Sequence, residues 1–366
     1  MRRDSDFQIM WCLRAAILSL DLFTSFYPLS HCCIFSLQEL LLKGKIRTYA
    51  RIRPYLGNES GGSDFVYTEG AKKICVVGTR GQCTFTFDRV FPPSADQAAI
   101  FEEVSSLIQH FLTGNDVCVF SFGQTGSGKT HTMMGNLCTP EQEGLILRCF
   151  RKIGRHVADL GKQEWDVETT LSCLEVHNNN LRNLLDVNNI LSTQRPFGCR
   201  PDGRQFVKGL TTSTVDLRNE AEVKLLLSLV ARNRVTKCTN MNTRSSHSHV
   251  MFTLDLTASK LEKNERVRGT LNLVDLAGLE PFKTSSNPTE TKEINKSLAS
   301  LNRVFVNAEA NLDLPTRDCK LTQLLGPAME GKGKMCMIFN LSPSEAHVPK
   351  TLSTLQLFQI VKKCIL

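Results

Sequence analysis

Eight residues constrain this chain more than any others: Gly123-Gln124-Thr125-Gly126-Ser127-Gly128-Lys129-Thr130, directly after the apolar run Val117–Phe122. The pattern G-x-x-x-x-G-K-T, set between a buried strand and a helix, is that of a phosphate-binding loop. Gly123, Gly126 and Gly128 let the backbone approach a phosphate with its N–H groups pointing inward. Lys129 offers a positive charge to the β- and γ-phosphates, and Thr130 a hydroxyl to Mg²⁺. The helix that begins there adds the partial positive charge of its N-terminus.

A nucleoside-triphosphate site also needs an acid at the end of a neighbouring strand. The stretch Leu271-Asn-Leu-Val-Asp275-Leu-Ala-Gly278 supplies one. Asp275 closes an apolar run and would hold Mg²⁺ through water, while the Gly278 N–H would reach the γ-phosphate. No guanine-reading N-K-x-D occurs: Asn295-Lys296-Ser297-Leu298 lacks the acid. Adenine is therefore the expected base.

The rest of the chain supports an α/β architecture. Periodicity predicts strands at 46–52, 73–77, 84–87, 117–122, 169–176, 250–256, 271–276 and 335–340. Helices are predicted at 98–112, 220–231, 293–308 and 353–363. Strands alternating with helices imply a central, mostly parallel mixed sheet with helices on both faces. With 41% apolar and 22% charged residues, the composition excludes a disordered chain, a coiled coil and a collagen-like fibre. The 14 cysteines contain no Cys-x-x-Cys pair and no zinc spacing, which points to free thiols in a reducing compartment. Residues 1–44 differ from the remainder. They form an atypical apolar stretch interrupted by Arg14, Asp21 and Pro28, and read as a weakly ordered leader or a gene-model artefact. Residues 45–366 form the domain.

From Lys45 to Lys363 the sequence resembles the kinesin motor domain. The resemblance rests on Arg51-Ile-Arg-Pro54, Phe87-Asp-Arg-Val-Phe91, the phosphate loop with His131-Thr-Met-Met-Gly135, and Asn242-Thr-Arg-Ser-Ser-His-Ser-His249. It continues through Asp275-Leu-Ala-Gly-Leu-Glu280, Ile294-Asn-Lys-Ser-Leu298, Lys320-Leu-Thr-Gln-Leu-Leu325 and Thr351-Leu-Ser-Thr-Leu355, all in the family's order. It implies a P-loop NTPase fold and an ATP- and Mg²⁺-dependent, microtubule-stimulated ATPase. Arg51 and Pro54 would pack on one face of the adenine and His131 on the other. Residues 242–249 would be switch I, with Ser246 reaching Mg²⁺ and Ser245 positioning water. Residues 275–280 would be switch II, carrying Gly278 and Glu280. Asn295, Lys296, Arg317, Lys320 and the segment near Arg182 would face the microtubule.

The net charge of +8 suits acidic tubulin as the partner. No nucleic-acid or membrane partner is expected, and the place implied is the microtubule cytoskeleton of the cytoplasm, the spindle included. The entry Leu40-Leu-Leu-Lys43-Gly44-Lys-Ile-Arg47 resembles the C-terminal-motor, minus-end-directed class. No heptad pattern is read before residue 45, and the expectation is that dimerisation is not encoded in this chain.

Several positions depart from the family pattern. His247 replaces an Arg that pairs with the acid at Glu280, Pro281 replaces the following Arg, Thr316 a Tyr and Asn302 a helix Gly. The turn His177-Asn-Asn-Asn180 replaces one rich in Glu and Tyr. An imidazole cannot make the permanently charged fork of a guanidinium. The alternative reading is therefore a nucleotide- and microtubule-binding protein with weak or absent hydrolysis.

Overall fold

A computed structural model describes residues 46–364, apart from 58, 60–64, 79–80, 187, 189–190, 192–195, 200–204, 236–246, 261–264 and 280–287. The leader 1–44, with the helical stub expected at Leu37–Leu42, lies outside the described residues. The first elements are β1 Ile46–Ile52, β2 Val66–Glu69, β3 Lys73–Gly78, β4 Gly81–Thr86, β5 Arg89–Phe91, α1 Gln97–Leu112, β6 Asp116–Phe122 and α2 Lys129–Met133. They are followed by α3 Leu145–Gly161, β7 Asp166–His177, β8 Asn180–Asn183, β9 Phe197–Cys199, β10 Gln205–Val207, β11 Ser213–Thr214 and α4 Glu220–Val235. The last are β12 His249–Lys260, β13 Glu265–Asp275, α5 Pro288–Glu309, α6 Lys320–Pro327, β14 Gly333–Leu341 and α7 Val348–Val361.

The central sheet runs β11-β7-β12-β13-β6-β14-β1-β5, with β8 paired to β7. From β13 to β5 every pairing is parallel. From β13 outward to β11 and β8 every pairing is antiparallel. The sheet is therefore mixed, and its parallel half carries the phosphate loop. Helix α5 packs with both α6 and α7, while α3 packs with both α1 and α4. A small sheet, β2-β3-β4, packs against α7.

The predicted elements are present, most with an earlier start, while those expected to end at Phe87, Leu276 and Lys363 stop at Thr86, Asp275 and Val361. The β12–β13 ladder continues from Val250↔Asp275 out to Lys260↔Glu265, well past its apolar part. Backbone pairing sustains it there, where side-chain alternation gives little signal. Helix α1 starts where Asp96 accepts the Ala99 N–H at 2.7 Å, an N-cap. Helix α7 begins at Val348, with Pro349 in its first turn, rather than at Ser353. Helix α3 is an addition to the sequence reading. Its buried Leu145, Ile146, Cys149, Phe150, Ile153, Val157 and Leu160 do follow helical spacing.

The core beneath β14 is aromatic. Phe358 of α7 stacks on Phe87 with centroids 3.7 Å apart, and meets Phe339 edge-on at 5.6 Å and Phe85 at 6.4 Å. Phe358 is 2% exposed. Phe358→Ala is expected to cost about 3–5 kcal/mol through the cavity it opens. Urea unfolding of variant and parent measures this, and a loss under 1 kcal/mol would show that this cluster collapses around the gap.

Candidate functional site

The loop between β6 and α2 turns on glycines in the left-handed region, with Gly126 at φ +75° and Gly128, the residue before α2, at φ +94°. An L-residue with a side chain is strained there. The loop is closed on itself at the Gln124 carbonyl. That oxygen accepts from Ser127 Oγ at 2.8 Å and from Lys129 Nζ at 2.9 Å. Gln124's side-chain amide and Thr125 Oγ1 are buried and have no hydrogen-bond partner among the described residues. Buried polar atoms are costly unless answered, so these orphans, the glycine turns and the buried Lys129 fit a polyphosphate ligand.

Asp275 lies where β13 ends, one strand over. Parallel pairing sets it opposite Ser121, the penultimate residue of β6. Its carboxylate is 1% exposed. Three donors satisfy it: Ser121 Oγ at 3.2 Å, Thr130 Oγ1 at 2.7 Å and Arg234 Nη1 at 2.8 Å. A hard oxygen pair of hydroxyl and carboxylate suits Mg²⁺, so Thr130 and Asp275 fit the ion. Beyond Asp275 the chain stays against the loop. The Leu279 N–H donates to the Gly123 carbonyl at 3.4 Å, and a Cβ on Gly278 would overlap Thr125 Oγ1.

Arg234 is a site residue that sequence reasoning missed. It stands at the end of α4, also donating to the Ser248 carbonyl at 3.2 Å, and no local pattern marks it. Arg53 is another. Its Nε donates to the Gly126 carbonyl at 2.7 Å, its Nη atoms fork onto Glu59 at 2.7 and 2.5 Å, and Nη2 also reaches Ser342 Oγ at 2.9 Å. The guanidinium thus clamps the middle of the phosphate loop to the ends of β1 and β14. Arg51 turns inward, donating to Gln97 Oε1 and Thr132 Oγ1, both at 2.9 Å. Burial lowers its pKa to about 10, so it stays charged at neutral pH. Gln97 links Arg51 to His131, accepting from the guanidinium and donating to the His131 carbonyl at 2.6 Å, and His131 is held below the usual imidazole value, first by desolvation and then by the Arg51 charge. Pro54 is exposed.

Ser245, Ser246 and Glu280 lie outside the described residues. The neighbouring His247 is described, and its Nδ1 lies 3.4 Å from Glu290 Oε2 in the first turn of α5. The other oxygen of Glu290 bonds His177 Nε2 at 2.6 Å. Burial pushes the Glu290 carboxyl upward, but the His177 hydrogen bond and the two imidazoles hold it below its usual range. Two histidines that the sequence reading singled out thus meet on one carboxylate. The turn after His177 is a two-residue hairpin loop, with Asn178 at φ +50° and Asn179 at φ +55°, a geometry asparagine tolerates. Asn179 Oδ1 accepts the Lys320 N–H at 2.9 Å, at the start of α6. Lys296 and Arg317 are exposed, and Arg182 pairs with the buried Glu175 at 3.3 Å. Among the described residues no helix is long and apolar enough to cross a membrane.

Residues 51–364 match the kinesin motor domain family. A curated relative, the kinesin-like protein KIN-14M of Arabidopsis thaliana, is 37% identical over 338 residues, covering 87% of this chain and 45% of the relative. The chain thus spans under half the length of that relative. Among solved structures, that of a fast kinesin is 33% identical with a TM-score of 0.81, covering 88% of this chain and 92% of that one. The motor domain of the Kar3-like kinesin from Ashbya gossypii is 30% identical with a TM-score of 0.74, covering 87% of this chain and all of that one.

The Arg53 clamp makes a test of stability. Its hydrogen bonds to Arg53, opposed by burial, hold the Glu59 carboxyl at about 2, against an ordinary 4.5. A depressed carboxylate stabilises the fold above its unfolded value, and that contribution is lost as pH falls through the folded one. Glu59→Gln should lower stability at pH 7 by about 1.5–3 kcal/mol, as expected for a charge-assisted bond. The gap between parent and variant should narrow as pH falls from 4.5 toward 2. Urea titrations across that range measure it, and a constant gap would remove Glu59 from the clamp.

Proposed function

This chain belongs to the kinesin motor domain family, and we propose that it works as an ATP-driven microtubule motor domain of the minus-end-directed, C-terminal-motor class. The observation that carries this reading is the junction of the phosphate loop with Asp275. Thr130 bonds the carboxylate at 2.7 Å, and Gly278 is seated against Thr125 with no room for a side chain. Any change in what the loop holds is thereby felt by the segment after Asp275.

The nucleotide's phosphates would be held by the backbone N–H groups of residues 123–128, with Gln124, Thr125 and Ser127 lining the turn. Lys129 would exchange the Gln124 carbonyl for phosphate oxygens. The adenine would sit by Arg51, Pro54 and His131. Thr130 and Ser246 would hold Mg²⁺ directly and Asp275 through water, and the ion supplies charge neutralisation on the phosphate oxygens. Ser245 and Glu280 would position the attacking water. Lys296, Arg317 and Lys320 would meet the acidic track, which would place the protein on the microtubule cytoskeleton. The family's relatives do not favour the slow-hydrolysing binder as the alternative. ATP turnover with and without microtubules decides between them, and absence of any stimulation would overturn the motor reading.

Lys129→Ala removes the positive charge that the phosphate loop itself carries. Calorimetric titration with Mg-ATP should show productive binding abolished, and unchanged affinity in the folded variant would displace the site from this loop. His247→Arg restores a permanent cation opposite the carboxylates near switch I. Microtubule-stimulated turnover should rise on the order of tenfold, equivalent to about 1.4 kcal/mol of transition-state stabilisation. ATP affinity should change little. Equal steady-state rates for the two proteins would show that the imidazole does not limit turnover.

A further inference from the structure

His249, the first residue of β12, is 3% exposed and stands outside the nucleotide contacts. Its Nδ1 lies 3.0 Å from the Ala277 backbone N–H. A backbone N–H only donates, so Nδ1 carries the lone pair and the ring proton sits on Nε2. That Nε2–H points at Ser297 Oγ on α5, 2.8 Å away. The Ser297 hydroxyl in turn donates to the Ile294 carbonyl at 2.7 Å. Every donor and acceptor along this path has one available sense: Ala277 N–H to His249, His249 N–H to Ser297, Ser297 O–H to the helix backbone. Burial drives the imidazole pKa down to about 3, with Asp275 opposing and Arg234 and Lys129 assisting, so the ring stays neutral and its proton fixed.

The two ends of this path matter. Ala277 lies between Asp275 and Gly278, in the segment that abuts the phosphate loop. Ser297 follows Lys296, an exposed cation on α5. We infer that His249 is a positioning residue that acts as a rigid strut, carrying displacement of the Ala277–Gly278 segment into α5. In the proposed function this would be one physical link between nucleotide state and grip on the track, and that part of the inference rests on the motor reading. The imidazole suits the task because it is flat, has no internal torsion between its two nitrogens, and is buried on all sides.

Ser297→Ala removes the acceptor on α5 while keeping a good helix former, and Ser297→Thr keeps the hydroxyl. Hydrogen exchange of amides 294–298, with and without Mg-ADP, reads the strut with no track present. The parent should change protection in this segment on adding nucleotide. The Ala variant should lose most of that response while binding Mg-ADP within about twofold of the parent, and the Thr variant should retain it. A parent without the response, an Ala variant that keeps it, or Thr and Ala variants that lose it equally would each overturn the strut. Co-sedimentation with microtubules in ADP and in a non-hydrolysable ATP analogue then tests the link to the track. The ratio of the two affinities should fall several-fold in the Ala variant. A parent whose exchange responds to nucleotide but whose track affinity does not would sink the motor reading and leave the strut standing.

Discussion

A buried carboxylate costs free energy unless donors meet it, and Asp275, 1% exposed, is met by three from three different elements. Ser121 comes from the adjacent strand, Thr130 from the helix after the phosphate loop, and Arg234 from the end of α4. Placing all three around one point requires the parallel β6–β13 register, the tight loop after β6, and the packing of α4 near Ser248. Removing Arg234 or Thr130 leaves a buried charge partly unanswered, a larger penalty than the worth of either bond. The site's geometry is therefore enforced from within the fold, by the same group that would assist the metal.

Glycines serve this site for two unrelated reasons. Gly126 has open space where a Cβ would stand, and its requirement is the left-handed φ of +75°. Gly278 has ordinary backbone angles, and its requirement is room, since a side chain would run into Thr125. The first shapes a cradle, and the second lets two backbone segments touch. Contact without an intervening side chain would pass a small shift at the loop to its neighbour, because packed segments shift rather than compress.

Much of this was legible before any coordinates. The phosphate loop is contiguous, its flanking strand is apolar, and Asp275 ends an apolar run, so each announces itself locally. Arg234, Arg53's hold on Gly126, and Glu290 did not. Their roles come from partners 41, 73 and 113 residues away in the chain, as for Arg234 with Asp275, Arg53 with Gly126, and Glu290 with His177. No window of sequence contains such a pair. The outer halves of β12 and β13 escaped for a different reason: ladder hydrogen bonds hold them together, and backbone pairing leaves little trace in side-chain identity.

The hairpin between β7 and β8 ties together residues far apart in the chain. Two successive left-handed residues, Asn178 and Asn179, favour asparagine, whose short polar side chain tolerates that conformation. Asn179, once in that conformation, accepts the Lys320 N–H at the start of α6. Two residues earlier, His177 bonds Glu290 at the start of α5, on the carboxylate that His247 also approaches. One four-residue turn therefore anchors the N-terminal ends of both α5 and α6. A substitution at His177 would take from the partly buried Glu290 its 2.6 Å partner, while the His247 imidazole stays 3.4 Å from the other oxygen. The histidines at 247 and 177 thus meet the two oxygens of one acid, and each bears on the position of the start of α5 through it.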